Sequence, residues 1–469
     1  MTVLVVGAGP TGLALACGLL QGGADVRIVD AAAGPATTSR ALGLQPRGIE
    51  VMDRLGALGE LPDRGVTVRE VVINVDGTEL TRLRVGGVTK LVTRPGVMMS
   101  QAEVEGQFRR RLAELGGAVE WNHEVTDLRH DGWIVGCDGA HSRVRKLAGV
   151  GFPGVPLIER FLVADVHADL PLDRHAVSTW LRGDRMFALF PLPGTDLWRI
   201  LVPEPEGAGA DDRHALLLRL LTEHTGLAAS LVTGIVWTSS FRIHRRLADT
   251  YRVGRVLLAG DAAHIHSPFG GQGMNTGLGD AENLAWKLAL VATGRADERL
   301  LDTYQAERRP IATEVLGHTS SMTRVMLGRT VLERVVRDHV VVPLMNRGFV
   351  QRLIAEGSSQ LRVSYRRGPL GSARPLVGRG PRGGDRMPGL PLADLRGRWS
   401  VLTADRAEVR AAESRLGADA VRTLPPIPGA KAFLVRPDGH VACRGDAAEI
   451  TRWLTAAGIG ARVSVPVPA

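Results

Sequence analysis

A glycine-rich turn near the N-terminus restricts the folds that this chain can adopt. Residues 2–6 are apolar, Gly7-Ala-Gly-Pro-Thr-Gly12 follows them directly, and an Ala/Leu-rich stretch extends from Thr11 to Gln21. A second apolar stretch begins at Val26 and ends at Asp30. This order predicts a strand, a tight turn, a helix and a second strand, which together form the βαβ unit of a Rossmann-type dinucleotide-binding fold.

The residues of this unit have separate expected roles. Gly7 permits the tight turn, Gly9 lets the backbone approach a pyrophosphate, and Gly12 lets the helix pack closely on the strand. Pro10 and Thr11 open the helix, whose N-terminal N–H groups favour an anion. Asp30 stands at the spacing where a carboxylate accepts hydrogen bonds from a ribose.

A second constrained segment, GDAAHIHSPFGGQGMN, occupies residues 260–275. It follows an apolar run, residues 255–259, that is typical of a buried strand, and it precedes a helical pattern from Thr276 to Ala292. Free N–H groups at the start of that helix favour partial negative charge. The segment therefore suits a cofactor with a pyrophosphate at one end and an electron-rich ring at the other, and its candidate contacts are Asp261, Pro268, Gly271, Gly273, Met274 and Asn275.

Bulk composition narrows the class of protein. The chain has 469 residues, of which 44% are hydrophobic and 23% charged, which is enough for two or three globular domains. No apolar run is long enough to span a membrane, and the first strand leaves no room for a leader. Three cysteines without a CxxC pair support neither a disulfide framework nor a zinc site. We therefore expect a cytoplasmic protein without a metal.

The net charge of +9 does not indicate a nucleic-acid partner. The arginines are spread along the chain and interleaved with acidic residues, and few aromatic residues accompany them. A binding surface for nucleic acid or a membrane would instead concentrate them. Codon bias toward arginine explains the charge, and we expect neither a nucleic-acid nor a membrane partner.

The remaining sequence alternates between two kinds of pattern. Strand-like alternation appears within residues 66–95 and 160–245, whereas helical patterns cover residues 47–58, 102–115 and 213–221. A Gly/Pro/Arg-rich linker is expected at residues 366–395, and α/β spacing follows it. The predicted domains are a dinucleotide-binding domain at 1–68, 96–150 and 246–365, a mainly antiparallel β-sheet domain for the substrate at 69–95 and 151–245, and a C-terminal domain at 370–469.

A third signature, Gly136-Cys-Asp-Gly-Ala-His-Ser-Arg-Val-Arg145, follows a short predicted strand at Trp133. Together, the three segments resemble those of the group A flavoprotein monooxygenases, the FAD-dependent aromatic hydroxylases. The third signature is similar to the DGxxSxVR motif of that family, and residues 260–275 are similar to its GDAAHxxxPxxGQGMN motif. The resemblance covers the whole chain. It implies a Rossmann-like FAD domain of the GR2 type and adds Asp138 and Gly139 to the cofactor site.

Finer features resemble a subgroup, the bacterial polyketide hydroxylases, with rifampicin monooxygenase nearby. The segment at residues 39–43 is similar to one whose arginine contacts FAD, which implicates Arg40. Gln101 resembles a glutamine that contacts the ribitol or ribose region. Residues 435–441 resemble a strand and turn of the subgroup's C-terminal thioredoxin-like domain. Because this chain has no CxxC, we expect that domain to have a structural or dimerisation role, so a homodimer is one expected state.

The resemblance also implies a reaction. NADPH or NADH reduces FAD, O2 then forms a C4a-hydroperoxyflavin, and the distal oxygen is transferred to an electron-rich ring, usually a phenol. FAD performs this chemistry, so the sequence identifies no catalytic side chain. Pro268 is expected to line the flavin. The implied substrate is an aromatic polyketide or similar polycyclic phenol, as in polyketide antibiotic biosynthesis. His264 and His266 are more typical of packing or loop residues than of catalytic bases.

Three alternatives remain open from the sequence. The same oxidant could insert oxygen in a Baeyer–Villiger or ring-opening reaction, or inactivate an ansamycin antibiotic. A degenerate flavoprotein could act only as a binding partner. A flavin halogenase is disfavoured because no WxWxIP-like segment occurs. In the family that this chain resembles, a β-meander lies between the strand near Val119 and the Gly136 signature, and most of it is missing here. Either another segment covers that face of the sheet or apolar surface stays exposed, and we expect the trimmed FAD domain still to hold FAD.

Overall fold

The computed structural model describes residues 1–37, 42–85, 89, 91–92, 94–205, 213–265, 271–328, 330–372, 380–390 and 392–460. The strands are, in chain order, β1 (Val3–Val6), β2 (Val26–Val29), β3 (Leu42–Leu44), β4 (Val66–Thr67), β5 (Glu70–Val75), β6 (Thr78–Arg84), β7 (Val97–Ser100), β8 (Val119–Glu120), β9 (Trp133–Gly136), β10 (Gly154–Ala168), β11 (Ala176–Arg182), β12 (Arg185–Pro191), β13 (Leu197–Pro203), β14 (Val232–Leu247), β15 (Arg252–Val253), β16 (Val256–Leu258), β17 (His264–Ile265), β18 (Trp399–Leu402), β19 (Val421–Leu424), β20 (Phe433–Val435) and β21 (Val441–Arg444).

Most helices lie between these strands, the longest run of them between β17 and β18, and the last helix follows β21. The helices are α1 (Pro10–Gln21), α2 (Pro46–Arg54), α3 (Leu61–Arg64), α4 (Gln101–Glu114), α5 (Arg143–Leu147), α6 (Arg213–Thr225), α7 (Gln272–Ala292), α8 (Asp302–Leu327), α9 (Val331–Val336), α10 (Val342–Leu344), α11 (Gly348–Ser358), α12 (Arg406–Leu416) and α13 (Ala447–Ala456). A π-helical turn, Arg337–Val341, joins α9 to α10. None of the helices described is long and apolar enough to cross a membrane.

The first sheet confirms the predicted βαβ unit. Its strand order is β15-β16-β9-β1-β2-β8, and β1 pairs in parallel with both β2 and β9. The four residues of β1 are buried, as expected for a central strand covered on both faces. The carboxyl ends of β1, β9 and β16 therefore lie at one edge of the sheet, and all three glycine-rich segments follow these strands.

The second sheet confirms the predicted antiparallel module. Its order is β17-β14-β10-β13-β12-β11-β5-β6; of these pairs, β11 and β5 run parallel. Asp76 and Gly77 turn the β5–β6 hairpin with φ values of 48° and 85°, the left-handed conformations that a two-residue type I′ turn requires. One face of the sheet packs against α6, and the opposite face forms a second apolar cluster.

Glycines shift three helix ends from the predicted positions. Gly56, at φ 71°, follows the end of α2, so this helix stops before Leu58. Gly226, at φ 74°, ends α6 four residues later than predicted. Gly271, at φ 62°, is the N-cap of α7, which therefore begins at Gln272 rather than at Thr276. A left-handed backbone ends or begins a helix cheaply only at glycine.

The segment after β8 covers the sheet face that the missing meander leaves open. Residues 121–132, all of them described, contain no strand. Trp121, Val125 and Leu128 pack against the main hydrophobic core. Backbone hydrogen bonds of 2.9 Å from the Asn122 and His123 N–H groups to the chain after β2 hold the segment in place. The trimmed domain therefore keeps a covered core.

The C-terminal sheet has the order β19-β18-β20-β21, and its core is continuous with that of the first domain. The ring centroids of Trp286, on α7, and Trp399, on β18, are 5.2 Å apart. The described parts of the predicted linker are not a loose tether, because Leu370, Met387 and Leu395 are buried. Apolar side chains at these positions dock the segment on the domains that it connects.

Candidate active site

The two larger sheets share one cavity of about 950 Å3, near the upper end of the range for ligand pockets. Its lining combines the edge of the first sheet, the start of α7, the apolar face of the second sheet and the end of α11. Most of the predicted cofactor residues line this cavity, namely Gly7, Gly9, Pro10, Thr11, Asp30, Gln101, Asp138, Gly139, Asp261, Gly271, Gly273 and Met274.

The N-terminal glycines divide into structural and cavity-facing positions. A Cβ added at Gly12 would lie 1.9 Å from the Gly7 carbonyl oxygen, and one at Gly7 would lie 2.5 Å from the Cys137 carbonyl oxygen. A Cβ added at Gly9 would meet no protein atom within 4 Å. Gly9 thus faces the open cavity, whereas Gly12 is required by the packing of α1 on its own turn.

The N-termini of α1 and α7 both open on the cavity without a side-chain cap. Neither the N-cap Gly9 nor the N-cap Gly271 supplies a capping oxygen, and neither helix has an acidic residue in its first turn. In contrast, Ser100 caps α4, which carries Glu103 in its first turn. Uncapped N–H groups at a helix start attract an anion.

Asp30 anchors the glycine-rich turn from the end of β2. Its carboxylate oxygens accept hydrogen bonds from the backbone N–H groups of Ala8, at 2.7 Å, and Ala32, at 2.8 Å. Each carboxylate oxygen can accept more than one hydrogen bond. Asp30 therefore both fixes the turn and presents acceptor capacity to the cavity that it lines.

Asp138 has one engaged oxygen and one unpartnered oxygen. Its Oδ2 accepts hydrogen bonds from the N–H groups of Arg143, at 2.6 Å, and Val144, at 3.0 Å, at the start of α5. Its Oδ1 is buried and has no hydrogen-bond partner. A buried acceptor without a donor costs free energy, so Asp138 is poised for a ligand that donates a hydrogen bond.

Asp261 lies in a 3-10 turn, Gly260–Ala262, directly after β16. Its side chain is exposed toward the cavity, but protein surrounds it on the other sides, and this burial raises its pKa despite the opposing effect of His264. Gly260, at φ 62°, brings the turn against Thr11, whose Oγ1 would lie 2.6 Å from an added Cβ. The turn and the start of α1 are thus packed together at the cavity.

Asp280, on α7, holds this turn from behind and was not identified from the sequence. It is fully buried and accepts hydrogen bonds from Gly260 N at 3.1 Å, His264 Nε2 at 2.6 Å and Arg308 Nε at 2.7 Å. Burial would raise the pKa of Asp280, but His264 and Arg308 hold it below its ordinary value. His264 is therefore a buried partner of Asp280, in agreement with its expected packing role.

Asn275 differs from its predicted role as a cofactor ligand. Its side chain is fully buried and lies outside the described cavity lining. The Oδ1 atom accepts a 2.9 Å hydrogen bond from Gln45 N, and Nδ2 donates to the carbonyl oxygens of Gly43 and Gly271. Asn275 consequently ties the start of α7 to the β3–α2 segment, because two backbone segments converge on it.

Gln101 begins α4 at the cavity wall and donates a 2.7 Å hydrogen bond to Glu105. Burial raises the pKa of Glu105, and the Gln101 bond partly offsets this effect.

Arg40, Pro268 and His266 lie outside the described residues, so their predicted roles stay predictions. The described residues contain no group of three His, Cys, Asp or Glu side chains that could hold a metal ion.

The second sheet supplies an apolar wall to the same cavity. Its contributing side chains come from β5, β6 and β10–β14 and are mostly aliphatic or aromatic, namely Val71, Ile73, Leu83, Val163, Val177, Thr179, Met186, Ala188, Phe190, Arg199, Leu201 and Phe241. Ile354 and Ala355 of α11 line it as well. This part suits a large apolar ring system, whereas the polar part described above suits an anionic dinucleotide.

The fold and the cavity define a dinucleotide-binding protein with an attached apolar pocket. The chain matches the model of the family described as "FAD binding domain" over residues 1–133 and 132–319. It is 37% identical over 403 residues to 6-methylpretetramide 4-monooxygenase of Streptomyces rimosus, across 78% of this chain and 70% of that protein. The chain belongs to this FAD-binding family.

Two further comparisons extend the similarity over nearly the whole chain. Rifampicin monooxygenase of Streptomyces venezuelae is 34% identical over an alignment of 478 positions, gaps included, which covers 95% of this chain and 95% of that protein. The crystal structure of CabE, an aromatic hydroxylase from angucycline biosynthesis, superposes with a TM-score of 0.79 at 31% identity, covering 97% of this chain and 99% of that one. These similarities confirm the predicted resemblance to polyketide hydroxylases and rifampicin monooxygenase.

The described residues fit FAD on physical grounds. The two uncapped helix starts match a pyrophosphate and an electron-rich ring. The unpartnered Asp138 oxygen matches a hydroxyl donor such as those of a ribitol chain. Gly9 leaves room for a ligand where any other residue would add a side chain.

Proposed function

We propose that this chain is an FAD-dependent monooxygenase that uses NADPH or NADH and O2 to hydroxylate a polycyclic aromatic substrate of the polyketide type. The observation that carries the proposal is the single cavity that joins the polar dinucleotide region to the apolar face of the second sheet. The relatives named above are monooxygenases and an aromatic hydroxylase. A shared cavity lets cofactor and substrate contact each other directly.

Within this proposal, FAD supplies the electron transfer and the activation of oxygen. The start of α1 binds its pyrophosphate, and Asp30 accepts hydrogen bonds from the ribose of its adenosine. Asp138 and Asp261 bind hydroxyl groups between the two helix starts, and Gln101 contributes from α4. The N–H groups of Gly273 and Met274 stabilise negative charge on the part of the cofactor that lies against them.

The proposed cofactor contacts include two positions outside the described residues. These are Arg40, on the segment before β3, and Pro268, on the segment before α7. Their assignment rests on the motifs alone. Asn275 is assigned a positioning role, because its side chain bonds the backbone of Gly43, Gln45 and Gly271.

We further propose the domain boundaries given under Sequence analysis, with a thioredoxin-like C-terminal domain. The support is its strand order, in which β18 and β19 are parallel and β20 and β21 follow antiparallel, flanked by α12 and α13. Cys443, a free cysteine of this domain, is buried, which suits a structural rather than a redox role. A cytoplasmic location and a homodimer complete the proposal.

The test measures NADPH oxidation by the purified holoenzyme in the presence of individual polycyclic phenols, coupled to the mass of the product. We expect oxidation that depends on the phenol and a product heavier by one oxygen atom. A product with an opened or expanded ring would assign a Baeyer–Villiger reaction instead. If no aromatic compound stimulates oxidation of NADPH or NADH, the chain is a binding protein and the proposal is wrong.

A further inference from the structure

An ion pair interrupts the apolar face of the second sheet where it lines the cavity. Arg199, on β13, lies directly across from Asp165, on β10, in the strand register. The next strand, β14, places Trp237 opposite Asp165, and β12 places Phe190 opposite Arg199. Cross-strand partners share a face, so Trp237, Asp165, Arg199 and Phe190 form one row across four strands.

The row holds the guanidinium group in a defined orientation. Arg199 binds Asp165 through two hydrogen bonds, from Nε at 2.6 Å and from a terminal nitrogen at 2.8 Å. Trp237 Nε1 donates to the same carboxylate at 2.7 Å, and its ring centroid lies 5.3 Å from the Arg199 guanidinium carbon. A fork-shaped pair of this kind fixes both the position and the plane of the guanidinium.

Of the two residues in this ion pair, only the arginine lines the cavity. Arg199 is among the residues that line it, whereas Asp165 and Trp237 are outside that lining. The described residues that line the cavity from this sheet and from α11 are otherwise uncharged. The other charged lining residues, such as Asp30, Asp138 and Asp261, belong to the dinucleotide region.

Stability alone does not explain an arginine at this place. Arg199 is 2% exposed and Asp165 is 7% exposed. A buried ion pair generally stabilises a fold no better than apolar residues of similar volume, because both charges lose their water. A ligand pocket instead uses a few fixed polar groups on apolar walls to orient its ligand.

We propose that Arg199 determines substrate specificity by binding an ionisable ring oxygen, a phenolate or an enolate, of the polycyclic substrate. This inference rests on the proposed function, because it places that substrate against the second sheet. Asp165 and Trp237 act as positioning residues that hold the guanidinium toward the cavity. The pocket then favours ring systems with an acidic oxygen at one edge over hydrocarbon or quinone rings of the same shape.

The experiment measures binding to the FAD-loaded protein by difference spectroscopy. The probes are hydroxyanthraquinones and hydroxynaphthacenequinones, each compared with its hydroxyl-free parent at a pH where the free phenol is protonated. We expect the wild-type protein to produce the phenolate absorption band on binding. Arg199→Met removes the cation, and Arg199→Met with Asp165→Asn also removes the buried countercharge, so that the protein stays folded.

Both variants should lower the affinity for the hydroxylated probe roughly ten- to hundredfold and abolish the phenolate band. Affinity for the parent quinone should change by less than about threefold. Arg199→Lys keeps the charge without the forked geometry, so its affinity for the hydroxylated probe should lie between that of the wild-type protein and that of Arg199→Met. This variant should also raise KM more than it lowers kcat. Arg185→Met is the matched control, because Arg185 is an exposed residue of β12 outside the cavity lining.

Three results would overturn the inference: no hydroxylated probe binds the wild-type protein, the variants leave hydroxylated probes unaffected, or they weaken both members of each pair equally. Failure of the proposed function has a different signature. In that case the phenolate band depends on Arg199, but no probe stimulates oxidation of NADPH or NADH. That result would retain the binding role of Arg199 and reject oxygenation.

Discussion

Replacing Asp280 with asparagine should loosen the FAD site without touching its lining. The amide would keep the shape of the side chain but lose the charge that faces Arg308, which is 3% exposed. Leaving one member of a buried ion pair without its partner typically costs about 3–5 kcal/mol. Part of this cost is recovered, because Arg308 also donates to Tyr365 Oη at 2.9 Å and to the Thr276 carbonyl oxygen at 3.0 Å. We therefore expect the free energy of unfolding to fall by about 3 kcal/mol.

The same substitution should weaken FAD binding. Asp280 accepts from Gly260 and His264 through one carboxylate oxygen and from Arg308 through the other. Asparagine has a single acceptor oxygen, so these donors compete for it and the hydrogen bond that holds the turn carrying Asp261 is weakened. One hydrogen bond to a charged acceptor is worth roughly 1.5–3 kcal/mol, which predicts a loss of affinity on the order of tenfold or more. Urea unfolding of the apoprotein and titration of flavin fluorescence measure the two effects separately.

Asp302→Asn is the matched control for Asp280→Asn. Asp302 also pairs with an arginine, Arg252, at 2.8 Å, but its side chain is 66% exposed. Exposed pairs contribute less than about 1 kcal/mol, so this variant should behave like the wild-type protein. The reasoning is refuted if Asp280→Asn and Asp302→Asn have equal stability and equal affinity for FAD.

Four further substitutions test other parts of the structure. Gly12→Ala should destabilise the apoprotein by more than about 3 kcal/mol, because its Cβ would lie 1.9 Å from the Gly7 carbonyl oxygen; Gly9→Ala should leave apoprotein stability unchanged and weaken FAD binding, as titration of flavin fluorescence would show. Burial would raise the pKa of Glu50, but Arg386 and two further arginines lower it from 4.5 to about 2. Its stabilisation, on the order of 3 kcal/mol, is complete above pH 4.5 and lost as the pH falls through 2, so Glu50→Gln should flatten the acid limb of a stability-versus-pH curve. Val125→Asp should expose the sheet face that residues 121–132 cover and lower the melting temperature of the apoprotein, which is measured without FAD because Val125 also lines the cavity.

Each of these substitutions has a contrary result. Equal stability of the Gly12→Ala and Gly9→Ala apoproteins would contradict the packing role of Gly12. Equal FAD affinity in Gly9→Ala and the wild-type protein would contradict a pyrophosphate at that turn. An acid limb of unchanged steepness in Glu50→Gln would show that Glu50 does not titrate as described. Thr126→Asp alters an exposed neighbour of Val125 and should have little effect, whereas equal destabilisation by both would contradict the covering role. A wild-type protein that remains colourless after FAD is added would contradict the trimmed FAD domain.

The sequence predicted the parts of the site that depend on local geometry. Gly7, Gly9 and Gly12 lie within one turn, and their spacing alone specifies how strand, turn and helix meet. Asp138 and Asp261 follow buried strands at fixed offsets, so their arrival at one sheet edge follows from parallel pairing. The observed ends of α2, α6 and α7 differ from the predicted ends by a few residues, because they depend on the positive φ of Gly56, Gly226 and Gly271. The sequence pattern does not show which glycine adopts that conformation.

Contacts between distant segments could not be predicted in the same way. Asp280 lies inside the long, almost fully buried helix α7, and its role depends on Gly260, His264 and Arg308 reaching it from three elements. Arg199 and Asp165 become neighbours only through the register of β10 and β13. Register is a property of the whole sheet, so the pair carries no local sequence signal.

The buried side chains of the linker region show the same limit. Residues 366–395 have the glycine, proline and arginine content of a tether, and composition predicts one. Leu370, Met387 and Leu395 are nevertheless buried, because the C-terminal sheet packs against α7 rather than standing apart. Isolated apolar residues in a polar stretch were the available signal.

Oxygen isotope labelling tests the central claim most directly. The holoenzyme is supplied with NADPH, a polycyclic phenol that stimulates its oxidation, and oxygen-18 gas in ordinary water. If the shared cavity unites FAD with the substrate, the product carries one oxygen-18 atom on an aromatic ring, and unlabelled gas in oxygen-18 water gives no label. A product labelled only from water, or NADPH oxidation that yields hydrogen peroxide with every phenol and no oxygenated ring, would contradict the account.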